Sequence, residues 1–383
     1  MKEAVIVMAK RTPIGKTGGA LSTLEPEELL APLIRHIVSE TGLPVERIDD
    51  VIIGNVVGPG GNIARVSALE AGLPVTVPGV TVDRQCGSGL EAVNLAARLV
   101  QSGAGEIYLA GGVESASRAP WKMAKPQTLT GLPRLYSRAR FTPDVYGDPD
   151  MGIAAENVAS MYGISREEQD LYALKSHQKA VHAQRTGRFR QEIVPVQVQG
   201  EWIDADECPR GDTSFEKLQK LSPVFLENGT VTAGNACPIN DGAALALVMS
   251  RETCRELGLT PVLRIADAQA AGVDPKYLGI GPVPAVQKLL DRRRMTVGDA
   301  DVVEFNEAFA SQVLASLQQL GIPYEKVNLA GGALALGHPY GASGAVLITR
   351  LCAEMLHQPY KRGIAALGIG GSMGLATLVE AAE

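Results

Sequence analysis

Residues 80–110, VTVDRQCGSGLEAVNLAARLVQSGAGEIYLA, predict a strand, a helix and a second strand. The β-branched residues at positions 80–82 favour the first strand. Apolar residues between Leu90 and Val100 leave one stripe along a helix, and Gly103 follows as its stop signal. The apolar run at residues 106–110 then predicts the next strand.

The same alternation of short strands and helical segments continues on both sides of this unit. It predicts an α/β fold whose sheet is mostly parallel and covered by helices on both faces. Three early segments also resemble three late segments in the same order, at separations of 251, 255 and 259 residues. The pairs are residues 50–55 and 301–306, 86–89 and 341–344, and 111–112 and 370–371. Three matches in order indicate an internal duplication.

The composition changes between the two repeats. Residues 118–239 are richer in proline, arginine and irregular polar sequence, and they contain both tryptophans. Within them, Ser165 and Glu168 form a capping box that predicts a helix as far as about Gly187. We expect a first half made of residues 1–117 and 240–260, a loop subdomain of residues 118–239, and a second half of residues 261–383.

Composition also narrows the classes of function. The 383 residues carry a formal net charge of −6 and no basic stripe with interleaved aromatics, which argues against a nucleic-acid partner. No segment approaches the roughly 20 apolar residues of a membrane span. The five cysteines are scattered without a C-x-x-C pair, so neither a disulfide framework nor a zinc site is indicated. The N-terminus has no apolar leader, and we expect a cytoplasmic protein without a bound metal.

Cys86 is the first candidate for chemistry because it lies between a predicted strand and a predicted helix. The positive end of the helix dipole would lower the pKa of its thiol and favour the thiolate. The alternative is a small buried apolar residue, which is the commonest fate of a free cysteine.

His338 and Asn306 are the other candidates. His338 lies among glycine and proline just before a predicted helix, so a solvated helix face cannot explain it, and a satisfied core histidine is the alternative. Asn306 follows a predicted buried strand, where its amide would enter a site or cap the next helix. The turn at residues 368–374 resembles G-x-G-x-x-G only loosely, and no acidic residue follows at the required distance, which disfavours a dinucleotide site.

Several blocks taken together resemble the thiolase family, and the resemblance covers essentially the whole chain. They are residues 83–89, 230–235, 240–244, 306–309, 337–339 and the glycine-rich C-terminal turn. The resemblance implies the thiolase fold, in which two similar βαβαβαββ halves stack as a layered α-β-α-β-α sandwich. It also implies that a loop subdomain inserted from the first half covers a coenzyme A site.

The resemblance further implies ping-pong acyl transfer, with coenzyme A thioesters as substrates and no permanently bound cofactor. Cys86 would attack the thioester after His338 removes its proton. Asn306, through a water, and His338 would hold the thioester oxygen, and the backbone N–H groups of Cys86 and Gly370 would form a second oxyanion hole. Family members are usually dimers or tetramers, so we expect a homodimer or a homotetramer.

Eight positions match the family's contacts with coenzyme A. They are Met151, Arg210, Ala233, Cys237, Ile239, Leu278, Ala308 and Phe309. Arg210 would meet the nucleotide end, where a fixed positive charge suits phosphate or a stacked adenine. The apolar positions would line the pantetheine channel.

The sequence departs from the family at Gly368. Most members have a cysteine there, which moves the proton at the substrate α-carbon, and residues 306–310 supply no other thiol. Cys237 stands where the family usually has serine. It is either a displaced acid/base or a pantetheine contact, and we favour the contact. Asp150 replaces a histidine that is often found at its position.

Three hypotheses remain. The first is a working acetyl-CoA or 3-ketoacyl-CoA C-acyltransferase in which water, His338 or Cys237 replaces the missing thiol. The second is an acyl-CoA-dependent acyltransferase or slow thioesterase that has lost the carbon–carbon (Claisen) step. The third is a non-catalytic acyl-CoA-binding protein, against which the intact Cys86, Asn306 and His338 argue.

Overall fold

The computed structural model describes residues 2–382. The strands are β1 Ala4–Arg11, β2 Gly15–Lys16, β3 Asp50–Gly54, β4 Gly79–Val82, β5 Ile107–Ser115, β6 Lys122–Ala124, β7 Arg134–Tyr136, β8 Val196–Val198, β9 Glu201–Ile203, β10 Asn240–Ser250, β11 Leu263–Gly272, β12 Val302–Phe305, β13 Arg362–Ile369 and β14 Met373–Ala381. The α-helices are α1 Pro26–Thr41, α2 Ile63–Glu70, α3 Ser88–Ser102, α4 Met151–Tyr162, α5 Arg166–Arg185, α6 Phe215–Gln219, α7 Arg251–Glu256, α8 Pro282–Arg293, α9 Ala310–Leu320, α10 Ala333–Leu336 and α11 Tyr340–His357.

The main strands lie in the order β12-β13-β14-β11-β1-β10-β5-β3-β4, with β2 paired to β10. The path crosses from β11 to β1 through only two residue pairs, so it consists of two half sheets that touch at this seam. Along the chain the first half runs β1-α1-β3-α2-β4-α3-β5-β10. The second runs β11-α8-β12-α9-α11-β13-β14. Between α9 and α11, Val327 forms an isolated β-bridge with Val303 and takes the place of a third strand. The βαβαβαββ organisation is therefore confirmed.

The expectation of a mostly parallel sheet is wrong. β3 pairs in parallel with β4 and β5, and β12 with β13, but the other pairings in the sheet are antiparallel. β13 and β14 are joined by a tight turn, which can connect only antiparallel neighbours. β10 returns beside β5 after the long segment 116–239, and nothing local in the sequence fixed its direction.

The internal duplication is visible in the sheet, but the start of the first sequence match is shifted by one residue and the third match is wrong. Asp49 Oδ2 accepts two backbone N–H groups at the start of β5, and Asp301 Oδ2 accepts two at the start of β13. Ile53, four residues after Asp49, pairs with Gly111. Phe305, four residues after Asp301, pairs with Ala366. Gly111 is therefore equivalent to Ala366 and not to Gly370.

Helices α3 and α11 form the central layer between the half sheets. Leu90 of α3 and Ile348 of α11 share one buried cluster with residues of both half sheets, while α1 and α2 cover the outer face of the first and α8 and α9 that of the second. The central helices approach closely at glycines: a Cβ on Gly89 would lie 2.6 Å from Gly341 O. This packing brings the segments that precede both helices, which carry Cys86 and His338, to the same end of the layer.

Residues 116–239 separate β5 from β10 and carry the hairpins β6–β7 and β8–β9 with helices α4 to α6. The predicted capping box is confirmed at the start of α5, where Ser165 Oγ accepts the N–H of Glu168 and the Glu168 carboxylate accepts the N–H of Ser165. Among the helices of residues 2–382, none has the length and apolar character needed to cross a membrane.

Candidate active site

Cys86 sits in a tight turn between β4 and α3. Gln85 adopts a left-handed conformation with φ of 48°. Two side chains hold the turn: Asp83 Oδ1 accepts the N–H of Gln85 at 2.8 Å, and Ser88 Oγ accepts the N–H of Arg84 at 2.8 Å while donating to Gln85 O at 2.6 Å. The turn presents a thiol that is 9% exposed at the end of the central layer.

The expectation that the helix dipole would lower the pKa of Cys86 is wrong for this site. Burial raises the pKa of the Cys86 thiol to about 11, because the thiolate loses its hydration. Hydrogen bonds from the backbone of Gly370 and of Cys86 itself oppose the rise without cancelling it. Cys86 is therefore a neutral thiol at rest, and two donors already point at the place where negative charge develops.

His338 is fixed by its neighbours in the orientation of a base. Gly337 has φ of 111°, and a Cβ there would lie 2.4 Å from the Asn240 side chain, whose Oδ1 accepts the N–H of His338 at 2.8 Å. Nδ1 of the ring lies 2.6 Å from Ser343 Oγ, and the Ser343 hydroxyl donates to Pro339 O at 3.0 Å. Since that hydroxyl has one proton, the imidazole donates from Nδ1, and the lone pair of Nε2 is left as an acceptor.

Burial also keeps this imidazole neutral. His338 is 2% exposed, and burial lowers the pKa of its ring to about 4. Asn306, which directly follows β12 and is 2% exposed, places Nδ2 3.5 Å from Nε2 of His338. A neutral base and an amide thus face the same space.

Tyr340 connects the base to the thiols. Its ring meets that of His338 edge-on, with centroids 5.1 Å apart. The pKa of the Tyr340 hydroxyl is raised by burial first and then by the charges of Cys237 and Cys86. Cys86 and Cys237 thus act electrostatically on the tyrosine that packs against His338. The pairing of the Cys86 thiol with the His338 imidazole stays a prediction.

Cys237 belongs to a segment held between the other site loops. Its N–H donates to Ala308 O at 3.0 Å, and Ile239 forms a strand-like bridge with His338. Burial raises the pKa of the Cys237 thiol, and the nearby charge of Cys86 raises it further. The two thiols are close enough to influence each other's ionisation.

Gly370 starts the turn between β13 and β14, and Gly371 follows with φ of 83°. A Cβ on Gly370 would lie 3.1 Å from the ring of Phe141, so a side chain here would press on that ring. The missing side chain lets the Gly370 N–H approach the sulfur of Cys86.

Comparison with known proteins agrees with this geometry. The description "Thiolase, N-terminal domain" matches residues 4–252, and "Thiolase, C-terminal domain" matches residues 259–381. The chain belongs to the thiolase family. Two relatives, from Staphylococcus epidermidis and S. aureus MRSA252, are named putative acetyl-CoA C-acetyltransferase VraB; they are 53% identical over 382 residues and 50% identical over 380 residues, covering 99% of both chains in each case. The crystal structure of the Bacillus anthracis acetyl-CoA acetyltransferase superposes with a TM-score of 0.93 at 40% identity, over 100% of this chain and 99% of that one.

This thiolase-family chain has no side chain at position 368. The atoms nearest to a Cβ added on Gly368 are Gly279 O at 3.2 Å and Gln312 Nε2 at 3.7 Å. Gln312 is 1% exposed, and its amide makes no hydrogen bond within residues 2–382. None of the atoms nearest to that position belongs to a titratable group.

The positions predicted to contact coenzyme A fall into one connected group and two outliers. Cys237, Ile239, Ala308 and Phe309 are linked by the backbone contacts just described, and Ala236 bridges to Phe309. The ring of Phe309 meets that of Phe225 at 6.3 Å, and Phe225 packs on Gly152 beside Met151. Leu278 is buried in the turn Pro275–Ile280 next to α4, where Asn157 donates to Lys276 O.

The outliers are Ala233 and Arg210, which are both exposed. The Arg210 N–H donates to Nδ1 of His177 at 3.1 Å. His177 had no assigned role in the sequence, yet it is 4% exposed, and burial lowers its pKa to about 4. The sequence also assigned no role to Asn240, Ser343 or Tyr340, although Ser343 lies five residues after His338, a spacing that puts it in the first turn of the predicted helix. Within residues 2–382, no group of three or more His, Cys, Asp or Glu residues is arranged to hold a metal ion.

Proposed function

We propose that the protein is an acetyl-CoA C-acetyltransferase that transfers acyl groups through a thioester on Cys86. As a member of the thiolase family, it is an acyltransferase. The observation that carries the proposal is the 2.6 Å contact between His338 Nδ1 and Ser343 Oγ, whose hydroxyl donates to Pro339 O, so that the Nε2 lone pair can serve as the base for Cys86. Relatives that are 50–53% identical are named putative acetyl-CoA C-acetyltransferases, which supports this substrate class.

In the first half-reaction, Cys86 Sγ attacks the thioester carbonyl while its proton moves to His338 Nε2. The electron pair of the carbonyl goes to oxygen, which the N–H groups of Cys86 and Gly370 stabilise in one tetrahedral intermediate. Collapse forms the acyl-Cys86 thioester and expels coenzyme A, which takes the proton from His338. Asn306 and His338 hold the thioester oxygen in the other half-reaction, with a water bound to Asn306.

The raised thiol pKa and the lowered imidazole pKa fit this order of events. Both groups are neutral in the resting site, so no buried ion pair has to be stabilised before substrate arrives. Charge develops only as the thioester is attacked, when the backbone donors are already in position. This is electrostatic preorganisation, usually the largest single contribution to catalysis.

The coenzyme A thioester is bound as substrate along the eight positions predicted from the sequence. Ile239, Ala308 and Phe309 form the wall of the pantetheine channel, continuing through Phe225 to Met151 and Leu278. Ala233 and the guanidinium of Arg210 serve the outer, nucleotide end. Residues 118–239 act as the loop subdomain between a first half (1–117 with 240–260) and a second half (261–383). Homo-oligomerisation, cytoplasmic localisation and the absence of nucleic-acid partners stay predictions.

A second candidate function is acyl transfer or thioester hydrolysis without carbon–carbon chemistry. Gly368 favours it, because the nearest atoms around that position offer no titratable group. A non-catalytic binding protein is the less favoured alternative, since nothing about binding alone requires the arrangement of Cys86, His338 and Ser343.

Incubation of the protein with acetyl-CoA tests the proposal. One acetyl group on the Cys86 peptide, detected by mass spectrometry, is the expected result, and Cys86→Ser abolishes it. Cys254→Ser is the matched control, because Cys254 lies in α7 outside the site. An unmodified Cys86 in wild type would contradict the proposed function and favour a binding protein.

A further inference from the structure

Breaking or forming a carbon–carbon bond next to a thioester requires a proton transfer at the substrate α-carbon. This inference rests on the proposed function, in which His338 already receives the proton of Cys86. One imidazole nitrogen cannot hold two protons, so the α-carbon needs a second acid/base. Asp83 holds the Cys86 turn, and the Glu307 carboxylate accepts hydrogen bonds from Tyr172, Ser176 and Asn328. The other titratable groups in and around the site are Glu114, Tyr340 and Cys237.

Glu114 is fully engaged elsewhere. Its carboxylate accepts hydrogen bonds from the N–H groups of Val56, Val57 and Gly341 and from Asn55 Nδ2. Four donors occupy its lone pairs, and it is 0% exposed. Glu114 holds loops together and cannot reach a substrate carbon.

Cys86 acts electrostatically on both Tyr340 and Cys237, but these two groups differ in position. Tyr340 turns its ring edge to His338. Cys237 donates its N–H to Ala308 O, and Ile239, two residues further on, bridges to His338. Ile239 and Ala308 are proposed to contact the pantetheine arm, which places Cys237 at the thioester end of the substrate.

We propose that the Cys237 thiol is the acid that protonates the substrate α-carbon when a 3-ketoacyl-CoA is cleaved, and the base that removes this proton in the reverse reaction. The thiol that the chain lacks at position 368 is thus replaced by one that reaches the pocket from the segment between β9 and β10. Cys237 keeps its contact with the pantetheine arm, since both roles place its sulfur next to the substrate thioester.

The proton and electron count closes in the cleavage direction. Cys86 gives its proton to His338 and attacks the 3-keto carbonyl; the bond between C2 and C3 then breaks with its electron pair on C2. The Sγ–H proton of Cys237 passes to C2, which yields acetyl-CoA, acyl-Cys86 and a Cys237 thiolate beside the His338 imidazolium. The Cys237 thiolate recovers its proton from the His338 imidazolium; incoming coenzyme A then gives its thiol proton to His338 and attacks acyl-Cys86. The electron pair returns to Cys86, which recovers its proton from His338.

The coupling between the two thiols suits this sequence of events. A thiolate on Cys86 raises the pKa of Cys237, so the two sulfurs do not ionise together.

Two activities of the full-length protein separate this role from acyl loading: acetylation of Cys86 by acetyl-CoA, and cleavage of acetoacetyl-CoA by coenzyme A. We expect Cys237→Ala and the nearly isosteric Cys237→Ser to lose about 10²- to 10⁴-fold more in cleavage than in acetylation of Cys86, because the pantetheine contact is common to both activities. Deuterium incorporation from D2O into the methyl group of the acetyl-CoA product reports the same proton transfer. Cys254→Ser is the control and should retain both activities.

Four results would overturn the inference. One is cleavage by both Cys237 variants within about threefold of wild type. Another is a loss of acetylation as large as the loss of cleavage in both variants, which would show a role not confined to the carbon–carbon step. The third is cleavage lost in Tyr340→Phe but kept in Cys237→Ser, which would make the phenol the acid. A wild-type protein that acetylates Cys86 but cleaves nothing also overturns it, while leaving acyl transfer intact; absent acetylation contradicts the proposed function itself.

Discussion

Removing the Ser343 hydroxyl should slow acylation of Cys86 without touching substrate. In wild type, Nδ1 of His338 lies 2.6 Å from Ser343 Oγ. In Ser343→Ala the Nδ1–H loses this acceptor, although His338 is only 2% exposed. Leaving a buried donor unsatisfied costs about 1–3 kcal/mol. The hydrogen-bond energy lost is greatest when the His338 ring is an imidazolium, because hydrogen bonds from charged donors are roughly twice as strong as those from neutral donors. If the whole cost falls on the transition state, acetylation slows about 5- to 160-fold.

The assay is the single-turnover rate of Cys86 acetylation by acetyl-CoA, followed by quenching and mass spectrometry. Ser343→Thr retains a hydroxyl and should recover most of the rate, which a purely structural defect would not predict. Thr349→Val is the matched control on the same helix: its buried hydroxyl donates to Ala345 O at 3.0 Å, away from His338. A rate for Ser343→Ala within about twofold of wild type would refute the assignment of Nδ1 as the donor and Nε2 as the base.

Three further predictions concern stability and the position of the second thiol. Arg11→Met should lower the free energy of unfolding by about 3–5 kcal/mol, measured by urea denaturation, because it leaves the fully buried carboxylate of Asp206 without its guanidinium and leaves Glu192 with Arg350 alone. A loss below about 1 kcal/mol would contradict this. Burial raises the pKa of Glu304 to about 8, so the protonated side chain stabilises the fold fully below the unfolded pKa near 4.5, and this stabilisation is lost as the pH rises through 8. Glu304→Gln should therefore flatten the decline in the free energy of unfolding between these two pH values. A pH profile of the urea midpoint that is the same in the variant and in wild type would contradict this. Adding Gly368→Cys to Cys237→Ala should raise the cleavage rate at least about tenfold above that of Cys237→Ala, since the new Cβ needs only a small shift of Gly279 O, 3.2 Å away. No recovery would mean that a thiol at position 368 cannot reach the α-carbon.

The sequence was sufficient where the structural signal is local. Helix α3 ends at Gly103 as predicted, because a left-handed residue is needed there and glycine supplies it. The capping box at Ser165 likewise depends on residues three apart. The direction of β10 has no local signal, since it depends on how the chain returns after residues 116–239, and the mostly parallel sheet was therefore a wrong expectation.

The site shows the same division. Cys86 and His338 were predicted from the segments that carry them, and their roles stay predictions, but the pKa of Cys86 was predicted in the wrong direction. The helix dipole is visible in the sequence, whereas the burial that outweighs it arises only when α3 and α11 pack together. The support that Asn240 gives His338 spans 98 residues and has no sequence pattern of its own. The proximity of Cys237 to Cys86 is a tertiary fact of the same kind.

The central claim is that the imidazole of His338 serves the thiol of Cys86, and the rate of acetyl transfer from acetyl-CoA to Cys86 in His338→Asn tests it most directly. Wild type should become acetylated, and the variant should be slower by about 10²- to 10⁴-fold while remaining folded. Equal rates in the two proteins would contradict the account.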